Sequence, residues 1–549
     1  MRTHCRYRTP CLPTTSRQIA GLTRQLDQTR SDLATYTDAA FAALPTHERN
    51  LHRKAFAIND GDPDYRKLAT LRYQDSGTER TMQVPKGDVF WQFREDVRTG
   101  KLPTVSWIVA PEAFSDHPSS AWYGAWYVSE ALDILTCDPE VWKKTIFILC
   151  YDENDGYFDH VPPFVPPQPG RADTGKVSGG IDPSVEYVSS EQEDGIRKNE
   201  PDWQGKPGPI GLGFRVPLVI ASPWSRGGYV SSQVFDHTSM LRFLDVFLSH
   251  KTGRLICETN ISAWRRTICG DLTSTFRPWN PQQAALPVPV RRDPFLISIN
   301  EAQFMPMPDD MQALTPAQIE QIRAQPLQSP LLPRQESGIR PACALPYQLE
   351  ADGALSADGS AFEIQFAALR EIFGDRAAGA PFRVYTPQKV RVVGSDAFED
   401  GRAWDYAVAA GDRIVDRFPI ALFDSGAYHL CVYGPNGFFR EFRGTRNDPS
   451  LAVSLRNTSA GAELRLVNRY TARPIAVTME DLAYGAPLRL IHLAPGRASS
   501  IDLDLDRSHG WYDMRLRVAE DLQYEQRYGG RVETGRESFS DPQMINARV

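Results

Sequence analysis

Apolar residues follow no regular pattern at the start of the chain and become strongly patterned after residue 102. Residues 1–19 lack periodicity and are predicted to be a tail, and the polar stretch up to about Asp38 is predicted to be helical. Residues 105–110 form a short apolar run that stops at Pro111, which is typical of a buried strand. Residues 145–151 and 216–222 are similar β-branched and aromatic runs without alternation, so two further strands covered on both faces are predicted.

Helical patterns lie between and after these strands. Residues 122–135 have helical spacing, and Asp138 and Pro139 provide an N-cap and a first-turn proline for one more helical turn. Another helix is predicted to start near Thr238, with apolar residues along one face. This order predicts an α/β domain around a largely parallel sheet, with strands near 104–110, 145–151 and 216–222 side by side.

The character of the chain changes after about Asn280, where proline-rich sequence indicates a linker. From Leu345 onward, alternating short runs predict half-buried strands of β-sandwiches. A weak repeat is visible, because residues 426–432 match residues 510–516 and each copy runs on to a glycine, Gly444 or Gly529. The predicted divisions are a tail (1–19), an α/β domain with linker (20–335) and two β domains (336–445 and 446–549).

Composition narrows the function classes. The 549 residues carry a formal net charge of -7, which argues against a nucleic-acid partner because phosphate binding needs a basic surface. No apolar run approaches the roughly 20 residues needed to span a bilayer. Hydrophobic residues make up 41% and charged residues 23%, which is ordinary for a globular protein of several domains.

The strongest chemical signal is the segment 151–160, where Asp152, Glu153 and Asp155 follow a predicted strand. Ligands of open α/β sheets bind at the carboxyl ends of the strands. Neighbouring carboxylates repel each other, and hard oxygen ligands suit a divalent metal. The alternative is an acidic turn whose side chains are solvated.

Two other clusters also follow or precede predicted elements. Glu112, Ser115, Asp116 and His117 come just after the first strand, where they could complete a metal shell or simply cap a surface turn. Asp236, His237 and Thr238 stand at a helix start. There a side chain could cap the helix, or the free N–H groups could bind a phosphate ester.

Taken together, these segments resemble the bacterial phospholipase C family, which includes certain acid phosphatases and the plant non-specific phospholipases C. The resemblance rests on residues 102–112, 115–118, 151–160, 215–225 and 235–239, in that order. It implies an alkaline-phosphatase-like phosphoesterase core that attacks phosphorus with a Ser or Thr hydroxyl, and the two β repeats resemble the paired C-terminal domains of bacterial members. By position, it implies a divalent metal held by Asp152, Glu153 and Glu112, with His117 and His237 contacting the phosphoryl group.

The chain departs from the family at one motif. The Glu-Asn-Arg-Ser-Phe-Asp-His motif of family members, and the nucleophile that follows it, do not occur in these 549 residues, so the chain is expected to be an N-terminally truncated form that is inactive as it stands. The expected activity by family is hydrolysis of phosphatidylcholine-like phospholipids. The alternatives are an acid phosphatase acting on phosphomonoesters and a non-catalytic lipid-binding remnant. The family implies a secreted or periplasmic location, although residues 1–19 do not form a signal peptide.

A membrane contact is a further expectation. Asn436-Gly437 predicts a hairpin, and Phe438 and Phe439 at its tip would either dip into lipid or pack into the core.

Overall fold

The computed structural model describes residues 12–55, 59, 61–115, 117, 123–156, 159, 161–200, 203–279, 288–307, 309, 311–332, 338–458 and 461–545. The chain divides into two compact units. Unit 1 comprises Met1–Trp142 with Pro287–Pro308, and unit 2 comprises Lys143–Leu286 with Asp309–Val549.

The helices within the described residues are α1 (Leu12–Thr35), α2 (Asp38–Ala43), α3 (Thr46–Ala55), α4 (Trp91–Arg98), α5 (Tyr123–Thr136), α6 (Pro139–Trp142), α7 (Ser190–Asn199), α8 (His237–Thr252), α9 (Ala263–Ile268), α10 (Arg292–Ala302) and α11 (Pro316–Ala324). The strands of the first half are β1 (Leu68–Asp75), β2 (Thr78–Pro85), β3 (Phe147–Cys150), β4 (Gly175–Val177), β5 (Tyr187–Val188), β6 (Gly208–Pro209) and β7 (Leu218–Ala221). Among the described helices, none is long and apolar enough to cross a membrane.

The strands of the second half are β8 (Pro341–Ala342), β9 (Leu349–Leu355), β10 (Ala361–Ala368), β11 (Ala380–Arg391), β12 (Phe398–Val408), β13 (Asp412–Pro419), β14 (Ala427–Tyr433), β15 (Phe439–Thr445), β16 (Leu451–Thr458), β17 (Gly461–Asn468), β18 (Ile475–Asp481), β19 (Arg489–Leu493), β20 (Ala498–Asp502), β21 (Trp511–Val518), β22 (Asp521–Arg531) and β23 (Ser538–Phe539). The chain is therefore mixed α/β first and β-rich afterwards, as predicted.

Unit 1 is built from helices and one hairpin, β1–β2. The predicted helix at 122–135 is confirmed as α5, and its Trp126 and Tyr127 are buried, so they pack in a core. Asp138 caps α6 as predicted, because its Oδ1 accepts from the Glu140 N–H at 2.9 Å. Helix α1 begins at Leu12, inside the stretch predicted to be a tail.

The prediction of a buried strand at 104–110 is wrong. These residues form no strand, and Trp107 and Val109 are 65% and 83% exposed. The apolar run is bracketed by Pro103 and Pro111, which lack the N–H that a neighbouring strand would need. An apolar run becomes a buried strand only where a paired neighbour satisfies its backbone.

The two other predicted strands form as β3 and β7, but Val219 of β7 is 54% exposed, so the prediction that they are covered on both faces is wrong. They pair antiparallel, with Cys150 opposite Leu218. The prediction of a largely parallel sheet is therefore wrong for these strands. Apolar composition does not indicate the direction of a strand, which the path of the 67-residue connection decides. As a consequence, the carboxyl ends of β3 and β7 lie at opposite ends of the pair.

The repeat seen in the sequence is confirmed by topology. In the first repeat β9, β10 and β13 form a three-stranded sheet, and in the second repeat β16, β17 and β20 form its counterpart. The other strands of the two repeats, together with β4, form one nine-stranded sheet in the order β19-β18-β21-β22-β15-β14-β11-β12-β4, while β8 pairs with β23. Reading outward from the β22–β15 pair, each half has the same order, so the repeats are related by a pseudo-twofold axis.

The pseudo-twofold axis passes between β15 and β22, at the facing pair Glu441 and Arg527. The pairing corrects the sequence alignment by one residue. Tyr428 pairs with Gly444, and its counterpart Tyr512 pairs with Gly530, so Gly530 and not Gly529 corresponds to Gly444. Residues of both repeats contribute to one continuous hydrophobic core. The boundary predicted at 445/446 falls between β15 and β16.

The hairpin prediction at Asn436-Gly437 is confirmed, since both residues have positive φ (52° and 71°) as a tight turn between β14 and β15 requires. The lipid-contact prediction is wrong for Phe438, which is 7% exposed and packs edge-on against Phe382. Phe439 is half-buried beside Tyr433. The aromatic pair therefore serves packing.

Arg440 lies fully buried beneath the junction of the two repeats. Its Nη1 donates to the carbonyl oxygens of Phe439 (2.8 Å) and Gly529 (2.9 Å), one on each side of the β15–β22 pair. Its Nη2 donates to the Tyr512 hydroxyl at 3.2 Å, and its guanidinium stacks 4.1 Å from the centre of the Phe438 ring. A single side chain thus links both repeats through hydrogen bonds and a cation–π contact.

We expect Arg440→Ala to lower the free energy of unfolding by about 3 kcal/mol or more, because it leaves carbonyl acceptors without a donor and opens a cavity. Arg446→Ala is the matched control, since Arg446 is exposed, and it should change stability by less than about 0.5 kcal/mol. Urea unfolding followed by circular dichroism measures both. Equal stability of the two variants would contradict the linking role of Arg440.

Candidate functional site

His237 is held against the end of β3. Its Nε2 lies 2.9 Å from the carbonyl oxygen of Tyr151, the residue immediately before Asp152 and Glu153. A carbonyl oxygen only accepts, so Nε2 carries the proton and Nδ1 is the acceptor in the neutral ring. Two of the predicted clusters, at 151–160 and at 236–238, are therefore brought together in unit 2.

Asp236 caps α8, which decides between the two alternatives for this cluster. Its Oδ1 accepts from the Ser239 N–H at 3.1 Å and from the Thr238 hydroxyl at 2.7 Å, while Ser239 Oγ accepts from the Asp236 N–H at 3.1 Å. This reciprocal arrangement is a capping box. The free N–H groups predicted to bind a phosphate are thus partly used by the chain's own carboxylate.

A buried ion network holds this cap in place. Arg265 of α9 donates from Nη1 to Asp236 Oδ2 at 2.6 Å, and from Nε and Nη2 to the two carboxylate oxygens of Glu186, each at 2.8 Å. These side chains are largely buried: the exposed fraction is 17% for Arg265, 4% for Asp236 and 6% for Glu186. The hydrogen bonds to both carboxylates raise the pKa of Arg265, against the opposing effect of burial, which is the largest single influence.

The segment after β3 is joined to the segment before β7 by a second ion pair. Arg215 forms a bidentate salt bridge with Asp159, in which Nε donates to Oδ2 at 2.5 Å and Nη2 donates to Oδ1 at 2.9 Å. The hydrogen bonds to Asp159 raise the pKa of Arg215. Because the bond is bidentate, it fixes orientation as well as distance.

Asp152 and Glu153 lie exposed on that turn. Asp152 Oδ1 accepts from the Glu153 N–H at 3.1 Å, and Asn154 Oδ1 accepts from the Gly156 N–H at 3.3 Å. Adjacent exposed carboxylates match the oxygen preference of a hard divalent cation, but such a cation takes six or more oxygen donors. Within the described residues, Asp152 and Glu153 do not gather with a third donor. They fit part of a metal site, and Asp116 and His160 lie outside the described residues.

Glu112 and His117 belong to unit 1. Glu112 begins a one-turn 3-10 helix (Glu112–Phe114), whose Phe114 ring packs on Tyr127 and Trp126 of α5. Glu112 and His117 are both exposed. Because Asp152, Glu153 and His237 belong to unit 2, the predicted gathering of all five side chains stays a prediction.

Unit 2 contains a large cleft beside His237. Its volume is about 1640 Å³, and its walls come from the ends of β3 and β7, the loop 229–237, and the β11 and β14–β15 segments. Arg215 and His237 contribute polar groups, and Tyr385 and Tyr433 contribute exposed aromatic surface. Ligand sites commonly combine an apolar wall with a few convergent polar groups in this way.

Comparison with known proteins relates two parts of this chain to known families. Residues 15–248, which include all five predicted site residues, match the model of the phosphoesterase family. The match covers 234 of the 549 residues, which is less than half of the chain. Residues 341–445 match a second model, the C-terminal domain of bacterial phospholipase C. The resemblance predicted from the motifs is thereby confirmed.

Individual proteins similar to this chain are named phospholipase C. The non-hemolytic phospholipase C of Pseudomonas aeruginosa is 36% identical over 466 residues, covering 82% of this chain and 60% of the relative. The non-hemolytic phospholipase C of Burkholderia pseudomallei is 35% identical over 503 residues, covering 89% and 62%. The hemolytic phospholipase C of Pseudomonas aeruginosa is 36% identical over 476 residues, covering 82% and 59%. The chain thus spans about three fifths of the length of these relatives.

Reasoning from the sequence missed the residues that position the site. Arg265 and Glu186 carry no motif, and 79 residues separate them, so only the fold shows that they meet. Arg215 lies in one of the segments that carry the family resemblance, but its partner Asp159 is 56 residues away. For Asp236 the sequence gives a weak signal, because aspartate at a predicted helix start is a good N-cap residue.

We expect Arg265→Met to lower the free energy of unfolding by about 3–5 kcal/mol, because it leaves the Asp236 and Glu186 carboxylates buried without their cation. Arg254→Met, at an exposed arginine just past α8, is the matched control and should be nearly neutral. Thermal unfolding compared at one protein concentration measures both. An unaltered stability of Arg265→Met would show that the network does not hold the cap.

Proposed function

We propose that this chain contributes the metal-binding and substrate-facing part of a phospholipase C-type phosphodiester hydrolase with an alkaline-phosphatase-like core. The substrate class is phosphatidylcholine-like phospholipids. The single observation that supports it best is the contact of His237 with the Tyr151 carbonyl, because it fixes an imidazole at the residue that precedes Asp152 and Glu153 in the chain. The names of the relatives support the reaction class.

The proposed roles follow from the chemistry of each group. Asp152 and Glu153, with Glu112, would hold a divalent cation, which supplies positive charge to the phosphoryl oxygens. His237 and His117 would bind the phosphoryl group or the leaving oxygen. Since the Nε2 proton of His237 is directed to Tyr151, its Nδ1 is the atom left to accept a proton from the substrate or a water.

The cleft supports a phospholipid as the substrate class. His237 brings an imidazole to its wall, and Tyr385 and Tyr433 bring exposed aromatic faces. A phosphodiester headgroup carries an anion joined to an apolar glycerol ester, so it needs both kinds of surface. With a volume of about 1640 Å³, the cleft is larger than a phosphomonoester requires, which favours the phospholipase over the acid phosphatase.

The domain organisation that goes with this function is also a proposal. Residues 20–335 would carry the phosphoesterase region and linker, and residues 336–445 and 446–549 would be two C-terminal β domains. The match at 341–445 supports the first β domain, and the equal strand order of the repeats supports the second. A secreted or periplasmic location is proposed from the family resemblance alone.

We expect the double variant Asp152→Asn, Glu153→Gln to bind Mn²⁺ at least about tenfold more weakly than the parent chain, since two charged oxygen ligands become neutral amides. Glu191→Gln with Asp194→Asn, on exposed acids of α7, is the matched control and should bind like the parent. Electron paramagnetic resonance titration of free Mn²⁺ gives both affinities. Equal affinity of the parent and the Asp152–Glu153 variant would remove these residues from the metal site.

We expect the 549 residues alone to hydrolyse phosphatidylcholine and p-nitrophenyl phosphate negligibly. The Glu-Asn motif and the nucleophile act as a unit with the residues present here, and such units lose nearly all rate when members are missing. Initial rates with added Zn²⁺, Ca²⁺, Mg²⁺ or Mn²⁺ are compared with the full-length Pseudomonas aeruginosa relative. Comparable turnover would place a nucleophile within these residues, and turnover of the phosphomonoester alone would favour an acid phosphatase.

A further inference from the structure

Three side chains with metal-ligating atoms meet on the β14–β15 hairpin, far along the chain from the acidic turn. His429 and Cys431 are two apart on β14 and therefore point to the same face of the sheet. Glu441 stands directly opposite Cys431 on β15. Their ligand atoms lie within 4.8 Å of one another.

The distances within the cluster are already short. His429 Nε2 is 2.7 Å from Glu441 Oε1, and Cys431 Sγ is 3.4 Å from His429 Nε2. In the described part of the chain, these side chains are the one set of three or more histidine, cysteine or carboxylate groups gathered closely enough for a single ion.

The backbone that carries these donors is rigid. β14 pairs with β11 on one side and β15 on the other, and β15 pairs with β22, so both strands are interior in the nine-stranded sheet. Cys431 and Glu441 are 7% and 5% exposed, while the His429 side chain is 17% exposed. The donors are thus fixed by pairing and shielded from bulk water, which is the condition for a preorganised site.

We propose that His429, Cys431 and Glu441 form a binding site for a divalent cation of borderline softness, of which Zn²⁺ is the representative. The ligand set contains one nitrogen, one sulfur and one carboxylate oxygen, all of which bind Zn²⁺ in proteins. A thiolate with an imidazole disfavours Mg²⁺ and Ca²⁺, which take oxygen ligands. Three protein ligands leave the fourth tetrahedral position for a water molecule or another small ligand.

The pseudo-twofold axis shows that the first repeat is specialised here. The positions corresponding to His429, Cys431 and Glu441 in the second repeat are Asp513, Arg515 and Arg527. Those residues form ordinary ion pairs, such as Arg527 with Asp513 at 2.6 Å. At these positions the second repeat has residues that form ion pairs. The first repeat has a histidine, a cysteine and a glutamate there instead.

Arg443 occupies the space that a cation would take. Its Nη2 lies 2.5 Å from Glu441 Oε1, and its Nε lies 3.2 Å from His429 Nε2. Its side chain is 47% exposed, so the guanidinium can turn into solvent when a cation arrives. Binding then exchanges one charge for another: Cys431 loses its thiol proton to solvent, forms an S–Zn bond, and Arg443 leaves Glu441.

Other polar groups surround the cluster from each neighbouring strand. Tyr385 of β11 stands opposite Cys431, Tyr433 follows on β14, and Arg527 of β22 stands opposite Glu441. Arg527 is committed to Asp513 through two bonds of 2.7 and 2.6 Å, so its guanidinium is held toward β21. Of the neighbouring arginines, Arg527 is therefore paired with Asp513, and Arg443 can turn into solvent.

Titration of the full chain with Co²⁺, followed by competition with Zn²⁺, tests this site. Thiolate coordination gives Co²⁺ an intense sulfur-to-metal absorption band in the near ultraviolet. We expect the band in the parent chain and its loss in Cys431→Ser and Glu441→Gln. Zn²⁺ affinity should fall at least about tenfold in both, because even losing a group that only orients a ligand costs roughly 10–100-fold. Cys257→Ser, at an exposed free cysteine, is the matched control and should keep the band.

A gain-of-affinity variant keeps the test decisive if the loss variants are unstable. Arg443→Gln removes the competing guanidinium and should tighten Zn²⁺ binding by several-fold, with circular dichroism unchanged. A parent chain without the thiolate band, a band that survives Cys431→Ser, or weaker binding by Arg443→Gln would each overturn the proposal. The Asp152→Asn, Glu153→Gln variant should keep the band, so failure here and failure of the proposed function are distinguishable.

Discussion

The antiparallel pairing of β15 with β22 is the interaction on which unit 2 depends. Each repeat alone would present a half-buried sheet with an open edge, and the pairing turns two such sheets into one. Arg440 strengthens the junction from below by donating to carbonyl groups on both strands. The Nη hydrogen bonds and the stacking on Phe438 offset part of the cost of burying the guanidinium, whose Nε has no hydrogen-bond partner among the described residues.

The same sheet also carries the phosphoesterase region of unit 2. β4 pairs in parallel with β12 at the sheet's edge, where Gly175 has a φ of 124° and a Cβ would lie 1.8 Å from the Asp405 carbonyl oxygen. Beside it, Trp264 and Ile268 of α9 pack against Ala407 of β12. Helix α9 is thereby fixed to the β-rich part of the chain.

Helix α9 in turn positions a residue of the candidate site. Arg265 projects from that helix to Asp236, the cap of α8, and the next residue, His237, contacts the carbonyl of Tyr151. The position of the His237 imidazole thus depends on the ion pair between Asp236 and Arg265, which lies more than 20 residues further along the chain, and on the packing of α9. The β repeats thus hold α9, the helix from which Arg265 fixes the cap residue that precedes His237.

Local signals in the sequence determined the identity of single elements. The β-branched runs at β3 and β7, the caps Asp138 and Asp236, and the Asn436-Gly437 turn were predicted because each depends on neighbouring residues only. The repeat was also visible, since both copies bury the same face of the same hairpin. The acidic turn at 152–153 could be recognised by its residue types.

The tertiary structure decided what depends on partners distant in sequence. It made β3 and β7 antiparallel, left 104–110 without a strand, and buried Phe438 in the core. It also joined Arg265 to Glu186 and Asp236, and set His429, Cys431 and Glu441 on one face. Strand direction, ion-pair partners and cross-strand neighbours follow from the path of the whole chain, which no local pattern encodes.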